Sequence, residues 1–261
     1  IGTAQSVSAK RVRAAIAAGV AARRPDLDAA ALTELAARLR ARHQIDARPV
    51  AVDLRTKAGV DALAGACGDC DVLVNNAGDI RGGSLDKVDG AMWRHDWDLK
   101  VFGFIDLSRH VYAAMKARGS GAIVNIIGAA GEKFDFDYIA GTAGNAALMA
   151  FTRALGSKSL ADNIRVVGIN PGPVETDRIV TLMKTRAKNL LGDEARYEEL
   201  LARMPRGRAA KPREIADLLA ATAARPAQLN CFGMHEWAMV YRSDKVRHTG
   251  VPLRLGAAGS D

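Results

Sequence analysis

Four short apolar runs, Pro49 to Leu54, Asp71 to Val74, Ala122 to Ile127 and Arg165 to Asn170, are separated by segments long enough for helices. This alternation limits the fold more than any other feature of the chain. Each run is nearly continuous in apolar residues, which is the pattern of a strand buried on both faces. The intervening segments Val60 to Ala66, Trp97 to Arg118 and Thr142 to Leu160 read as helices. Strands connected through helices are parallel neighbours, so the chain predicts an α/β fold built on a parallel sheet. Leu32, Leu35, Ala36 and Leu39 keep helical spacing inside the Ala- and Arg-rich stretch from Ala14 to Arg42, which predicts at least one more amphipathic helix. After Pro171 a loop and polar helices read as a lid and a last packing helix, with Pro212 placed to open Arg213 to Ala224. Beyond Pro226 no period is readable.

Composition narrows the function classes. With 261 residues, 49% hydrophobic and 25% charged, the chain can bury a sizeable core and is not of disordered type. Its apolar runs are far shorter than the roughly 20 residues that span a bilayer, so no membrane partner is expected. No cationic, apolar leader is visible, which makes a cytoplasmic location the expectation, and Ile1 in place of Met hints at truncation. The net charge of +8 comes from Arg scattered among acidic residues, which argues against nucleic acid as a partner. Cys67-Gly68-Asp69-Cys70 has metal or redox spacing, but a zinc site needs further ligands and only Cys231 remains, so a turn before a strand is expected.

Asp71-Val72-Leu73-Val74-Asn75-Asn76-Ala77-Gly78 resembles the strand and N-N-A-G turn of the short-chain dehydrogenase/reductase family. Val52-Asp53-Leu54 is similar to that family's acidic turn facing the adenine, and Asn170-Pro171-Gly172-Pro173-Val174-Glu175-Thr176 to its nicotinamide-side loop. The resemblance runs from about Asp28 to Ala224. It implies a doubly wound, Rossmann-like single domain over residues 1–224, with residues 225–261 an unassigned tail. It also implies NAD or NADP as cofactor, an alcohol or carbonyl as small-molecule substrate, and a homodimer or homotetramer. The cofactor-binding residues it points to are Gly2, Asp53, Leu54, Asn76, Ala77, Gly78, Pro171 and Gly172. The family's T-G-x-x-x-G-x-G turn corresponds to Ile1 to Ser8, where Ser6 and Ser8 stand at glycine positions and the preceding strand is missing. Weak cofactor binding is the expectation, because side chains there hold a pyrophosphate away from backbone N–H groups.

The resemblance implies a Ser, a Tyr, a Lys four residues later and an Asn as catalytic groups. The matching positions hold Gly128, Gly141, Asn145 and Lys100. Tyr138, three residues upstream of Gly141, is the substitute acid; the alternative is an aromatic ring packing beside Phe134 and Phe136. Lys100 reads either as a surface charge or as a cation that approaches Tyr138 from the neighbouring helix. Two classes of function stay open: an atypical oxidoreductase, and a catalytically silent nucleotide-binding or regulatory protein of the same fold.

Overall fold

A computed structural model describes residues 14–17, 25–67 and 69–217. The chain divides into two compact units, Ile1–Lys211 and Pro212–Asp261, and the first holds the sheet with the helices packed on it. Four strands, β1 (Ala14–Ala17), β2 (Val72–Asn75), β3 (Gly121–Ile126) and β4 (Ile164–Ile169), form this sheet in the order β1-β2-β3-β4. Every pairing is parallel, with Leu73 opposite Ile123 and Ile123 opposite Val166. Helices α1 (Pro25–His43) and α2 (Lys57–Cys67) lie between β1 and β2 in the chain. Helices α3 (Gly90–Trp97) and α4 (Gly103–Arg118) connect β2 to β3, and α5 (Ile139–Ser159) connects β3 to β4. This is the α/β, Rossmann-like architecture with a parallel sheet.

The helix ends follow local chemistry. Asp89 caps α3 by accepting the N–H groups of Ala91 and Met92 at 2.9 and 2.8 Å. Gly119 stops α4 at a φ of 70°, a conformation that costs glycine nothing. Leu73, Ile123 and Ile164 of the sheet are fully buried under Phe104, Leu107, Val111 and Met115 of α4 and Leu148 of α5. Burial of such side chains contributes about 1.5–3 kcal/mol each relative to exposure, so this layer dominates the stability of the unit.

Two expectations are corrected. Pro49 to Leu54 forms no strand. Val50, Val52 and Leu54 of this run pack on the core, while the backbone turns at Asp53, whose carbonyl accepts the Thr56 N–H at 3.1 Å. An apolar run specifies burial, and strand pairing needs a neighbouring edge as well. Conversely, Ala14–Ala17, which lies in the stretch from Ala14 to Arg42 read as helical, pairs in parallel with β2 from Val72 to Asn75. Ala is a strong helix former, but propensity is a weak prior against a free sheet edge. The helix of this region opens only at Pro25.

Among the described residues no helix is long and apolar enough to cross a membrane. Cys67 ends α2, and the Cys70 N–H donates to its carbonyl at 2.8 Å, a turn leading into β2.

Candidate active site

The carboxyl ends of β2, β3 and β4 meet at one edge of the sheet, where open α/β folds gather their functional loops. Ile127 donates its N–H to Ile169 O at 2.8 Å and Ala129 to Pro171 O at 2.9 Å, which ties the loops after β3 and β4 together. Behind them lies a buried polar ladder. Asn75 Nδ2 donates to Asn125 Oδ1 at 2.8 Å and to Ser108 Oγ at 3.0 Å. Asn125 Nδ2 donates to Thr152 Oγ1 at 2.9 Å, and the Thr152 hydroxyl donates to Leu148 O at 2.7 Å. The ladder cross-links α4, β2, β3 and α5, which fixes the ends of the strands relative to the helices that carry the site. Its sequence signal is Asn125 in the otherwise apolar run Ala122 to Ile127, a polar residue that strand burial makes costly unless it is paired.

The four positions aligned with catalytic groups come together around the end of β3. Lys100 lies in a π-helical turn, Asp98–Phe102, between α3 and α4; such turns widen a helix locally and often mark functional sites. The side chain crosses Gly78, where a Cβ would stand 2.7 Å from Lys100 Cδ. The ammonium donates to Ile127 O at 2.6 Å. With an exposure of 7%, Lys100 is not the surface charge the sequence allowed. The glycine leaves a lane for its stem, and a carbonyl past the end of β3 accepts its proton. Gly128 follows at a φ of 131°, a backbone state that side chains disfavour, and its missing Cβ would lie 3.1 Å from Asn145 Nδ2. Asn145 is buried, and its Oδ1 has no hydrogen-bond partner among the described residues.

Tyr138 immediately precedes α5, with a φ of −138°. Its loop is held by Gly83, which donates to Asp137 O at 2.6 Å and accepts from the Ile139 N–H at 3.3 Å. The ring lies over Gly141: Tyr138 Cζ is 2.0 Å from where a Cβ on residue 141 would stand. The half-buried ring packs on Ile80, Val88 and Ala140. Phe134 and Phe136 are 83% and 70% exposed, so they are not the aromatic packing that the alternative reading of Tyr138 assumed.

The residues expected to face a cofactor are spread along the same edge. Asn76 is exposed, Ala77 is buried, and Gly78 lies under Lys100. Pro171 is half-buried, and Gly172 is exposed with open space beside its Cα. Leu54 is a core residue, with its carbonyl oxygen 3.3 Å from the Cβ position of Gly103. Asp53 is engaged by Arg55, whose Nε donates to Oδ1 at 2.8 Å and Nη2 to Oδ2 at 3.0 Å. This guanidinium holds the Asp53 carboxyl below its ordinary range. Arg55 Nη1 also lies 2.8 Å from His95 Nε2, which therefore accepts, since a guanidinium only donates. Sequence reasoning missed Arg55, although a cation two residues from the acidic turn was its signal. Gly2 lies outside the described residues.

Two further contacts shape the mouth. Asp96, 2% exposed, takes a bidentate pair from Arg81 at 2.9 and 2.8 Å and the Arg81 N–H at 3.0 Å, which clamps the segment after Gly78 onto α3. Helix α6 (Asp177–Leu191) reaches both neighbouring loops. Leu182 Cδ1 is 2.9 Å from the Cβ position of Gly82, and Arg186 pairs with Asp135 at 3.0 Å.

Residues 1–187 match the model of a family described as short chain dehydrogenase. The chain is 32% identical over 198 residues to a 2-keto-3-deoxy-L-fuconate dehydrogenase of Xanthomonas campestris pv. campestris, an alignment covering 74% of this chain and 62% of that relative. It therefore spans less than two thirds of that relative's length. Among solved structures it is similar to L-sorbose reductase of Gluconobacter frateurii complexed with NADPH and L-sorbose, with 30% identity and a TM-score of 0.66 over 79% of this chain and 77% of the other. An actinorhodin polyketide ketoreductase variant with NADPH gives a TM-score of 0.70 at 27% identity, covering 80% and 78% of the two chains.

Proposed function

The chain belongs to the short-chain dehydrogenase family, and from that premise we propose that it moves hydride between NAD or NADP and an alcohol or carbonyl substrate, with Tyr138 as its acid. The observation that carries this reading is the Tyr138 ring over Gly141, at the start of α5 and packed on Ile80 in the segment that follows β2. A phenol delivered from three residues upstream places a proton donor where residue 141 offers none. When bound, the nicotinamide supplies or accepts the hydride. Tyr138 gives a proton to the carbonyl oxygen in reduction and takes one from the alcohol in oxidation.

The residues at the nicotinamide end fit such a cofactor. Gly172 has open space beside its Cα and Asn76 is exposed, so these two offer surface for a flat ring, with Ala77, Gly78 and Pro171 assigned beside them. Asp53 and Leu54 are assigned to the adenine end, where Arg55 adds a cation beside the carboxylate. Binding is weak on this reading, because Ser6 and Ser8 stand where the pyrophosphate turn carries glycines. Association is through α4 and α5, the latter exposing Ala147, Ala150 and Ala154, into a dimer or tetramer that light scattering can count. The cytoplasm is the proposed compartment, residues 1–224 the proposed family domain, and residues 225–261 a tail with no assigned role.

The test is a titration with NADPH and NADH followed by turnover of a ketone and aldehyde panel. Turnover that Tyr138→Phe lowers by about 10²- to 10⁴-fold supports the reading. Equal rates in the two proteins clear Tyr138 of a chemical role. Cofactor binding without any turnover favours the second reading, a silent nucleotide-binding protein. One observation speaks for it: Gly128 and Gly141 bring no hydroxyl to the site.

A further inference from the structure

Residue 128 has no side chain, yet the space its Cβ would enter is bordered by a polar group. The Asn145 carboxamide faces it, with Nδ2 3.1 Å and Oδ1 3.8 Å from the Cβ position. Asn145 is 2% exposed and, among the described residues, its Oδ1 makes no hydrogen bond. A buried amide oxygen left without a partner loses the hydrogen bonds it made to water, a cost proteins rarely carry without a use. Asn75 Oδ1 is likewise without a partner among the described residues, but Asn75 lies inside the polar ladder, where its Nδ2 and both ends of the Asn125 amide are bonded. Asn145 sits on the same helix as Thr152, two turns nearer the mouth of the site, and takes no part in it. Lys100 brings an ammonium to the carbonyl of Ile127, the residue before Gly128. A donor-acceptor amide and a cation from two different helices thus converge on one peptide at the carboxyl end of β3.

We propose that Asn145 is the residue that holds the reacting oxygen of the substrate, its amide N–H donating to a carbonyl oxygen and its Oδ1 accepting from an alcohol hydroxyl. This rests on the oxidoreductase reading of the site and adds a residue and a role to it. A carboxamide suits both directions of the reaction because it carries one donor group and one acceptor, whichever way its two ends are turned. The glycine at 128 fits the same geometry: its φ of 131° and the 3.1 Å approach leave the carboxamide the room a side chain would take. Lys100 stands beside it, its Nζ held at Ile127 O, as a further hydrogen-bond donor for an oxygen gaining negative character.

The experiment combines kinetics with a readout that needs no turnover. Side-chain amide resonances of the ¹⁵N-labelled full chain are followed during titration with hydroxyacetone in the presence of NADPH, the Asn145 pair being identified by its loss in Asn145→Leu. The proposal expects that pair to shift saturably, and expects Asn145→Leu to lower kcat/KM on the active ketone by about 10²- to 10³-fold with NADPH affinity unchanged. Asn145→Ser, smaller and polar, replaces the leucine variant if circular dichroism shows that the latter is unfolded. An Asn145 resonance unmoved at saturation, or full kcat/KM in either folded variant, overturns the assignment. A wild-type protein that binds NADPH without turnover sinks the oxidoreductase reading instead, and the Asn145 resonance still decides whether the amide meets the ligand oxygen.

Discussion

Tyr138 and Gly141 share one volume: the ring carbon that bears the hydroxyl lies 2.0 Å from where a Cβ on residue 141 would begin. Only glycine at 141 lets the ring stay there. Gly141→Ala therefore forces the phenol out of its place against Ile80, Val88 and Ala140, and overpacking of this kind costs about 1–3 kcal/mol. Urea unfolding of Gly141→Ala, Tyr138→Ala and the double variant measures the coupling. The alanine at 141 is expected to cost less once the ring is gone. Strictly additive losses would place the ring elsewhere.

A side chain at 128 meets two obstacles at once. The φ of 131° disfavours any residue with a Cβ, and that atom would stand 3.1 Å from the Asn145 amide. Gly128→Ser is expected to lower the melting temperature and to give no gain in ketone reduction, even though it restores a hydroxyl that the family supplies at this point. A stable Gly128→Ser protein with raised turnover would show that the loop relaxes without cost.

Much of the fold is legible in the sequence, and the parts that are not share a cause. Asp71 to Val74 and Ala122 to Ile127 are nearly continuous apolar runs flanked by helix-length segments, so their place in a parallel sheet follows from local pattern. Pro49 to Leu54 has the same pattern and forms no strand, while Ala14–Ala17 has a helical composition and forms one. In both, the outcome depends on which edge is open to pair, a property of the assembled sheet. The site divides the same way. Tyr138 could be named from its spacing to Gly141, but its ring position depends on the Gly83 hydrogen bonds, and the burial of Lys100 depends on the lane across Gly78. Side chains that cross a glycine of another element leave no periodic trace.

The buried ladder supports a stability prediction. Asn125→Leu fits the strand's apolar neighbours but removes the acceptor of Asn75 Nδ2 and the donor to Thr152 Oγ1. Groups left unpaired in the interior cost about 1–3 kcal/mol each. Chemical denaturation of Asn125→Leu is expected to show a loss of that order, with the sheet retained by circular dichroism. A variant as stable as the parent would mean that water replaces the missing partner.

The last prediction concerns pH and the far end of α4. The Tyr112 hydroxyl donates to Asp162 Oδ2 at 2.6 Å, and Lys116 Nζ lies 3.2 Å from Oδ1 of the same carboxylate. The hydrogen bond to the carboxylate, with burial behind it, pushes the Tyr112 pKa up to about 12, while the Tyr112 hydroxyl draws the Asp162 carboxyl below its ordinary range. A phenol that holds its proton more tightly when folded contributes stability that is complete below the unfolded value of about 10. That contribution is lost as pH rises toward the folded value, because there the unfolded chain binds fewer protons than the folded one. For Asp162 the sign is opposite: its contribution is complete above the unfolded carboxyl value and fades as acid protonates the folded group. Thermal melts from neutral pH to about 11.5 are therefore expected to fall more steeply for the parent than for Tyr112→Phe, which keeps the ring and removes the proton. The two curves are expected to lie apart at neutral pH and to converge above about 10, and parallel curves would show that the hydroxyl does not hold its proton against Asp162.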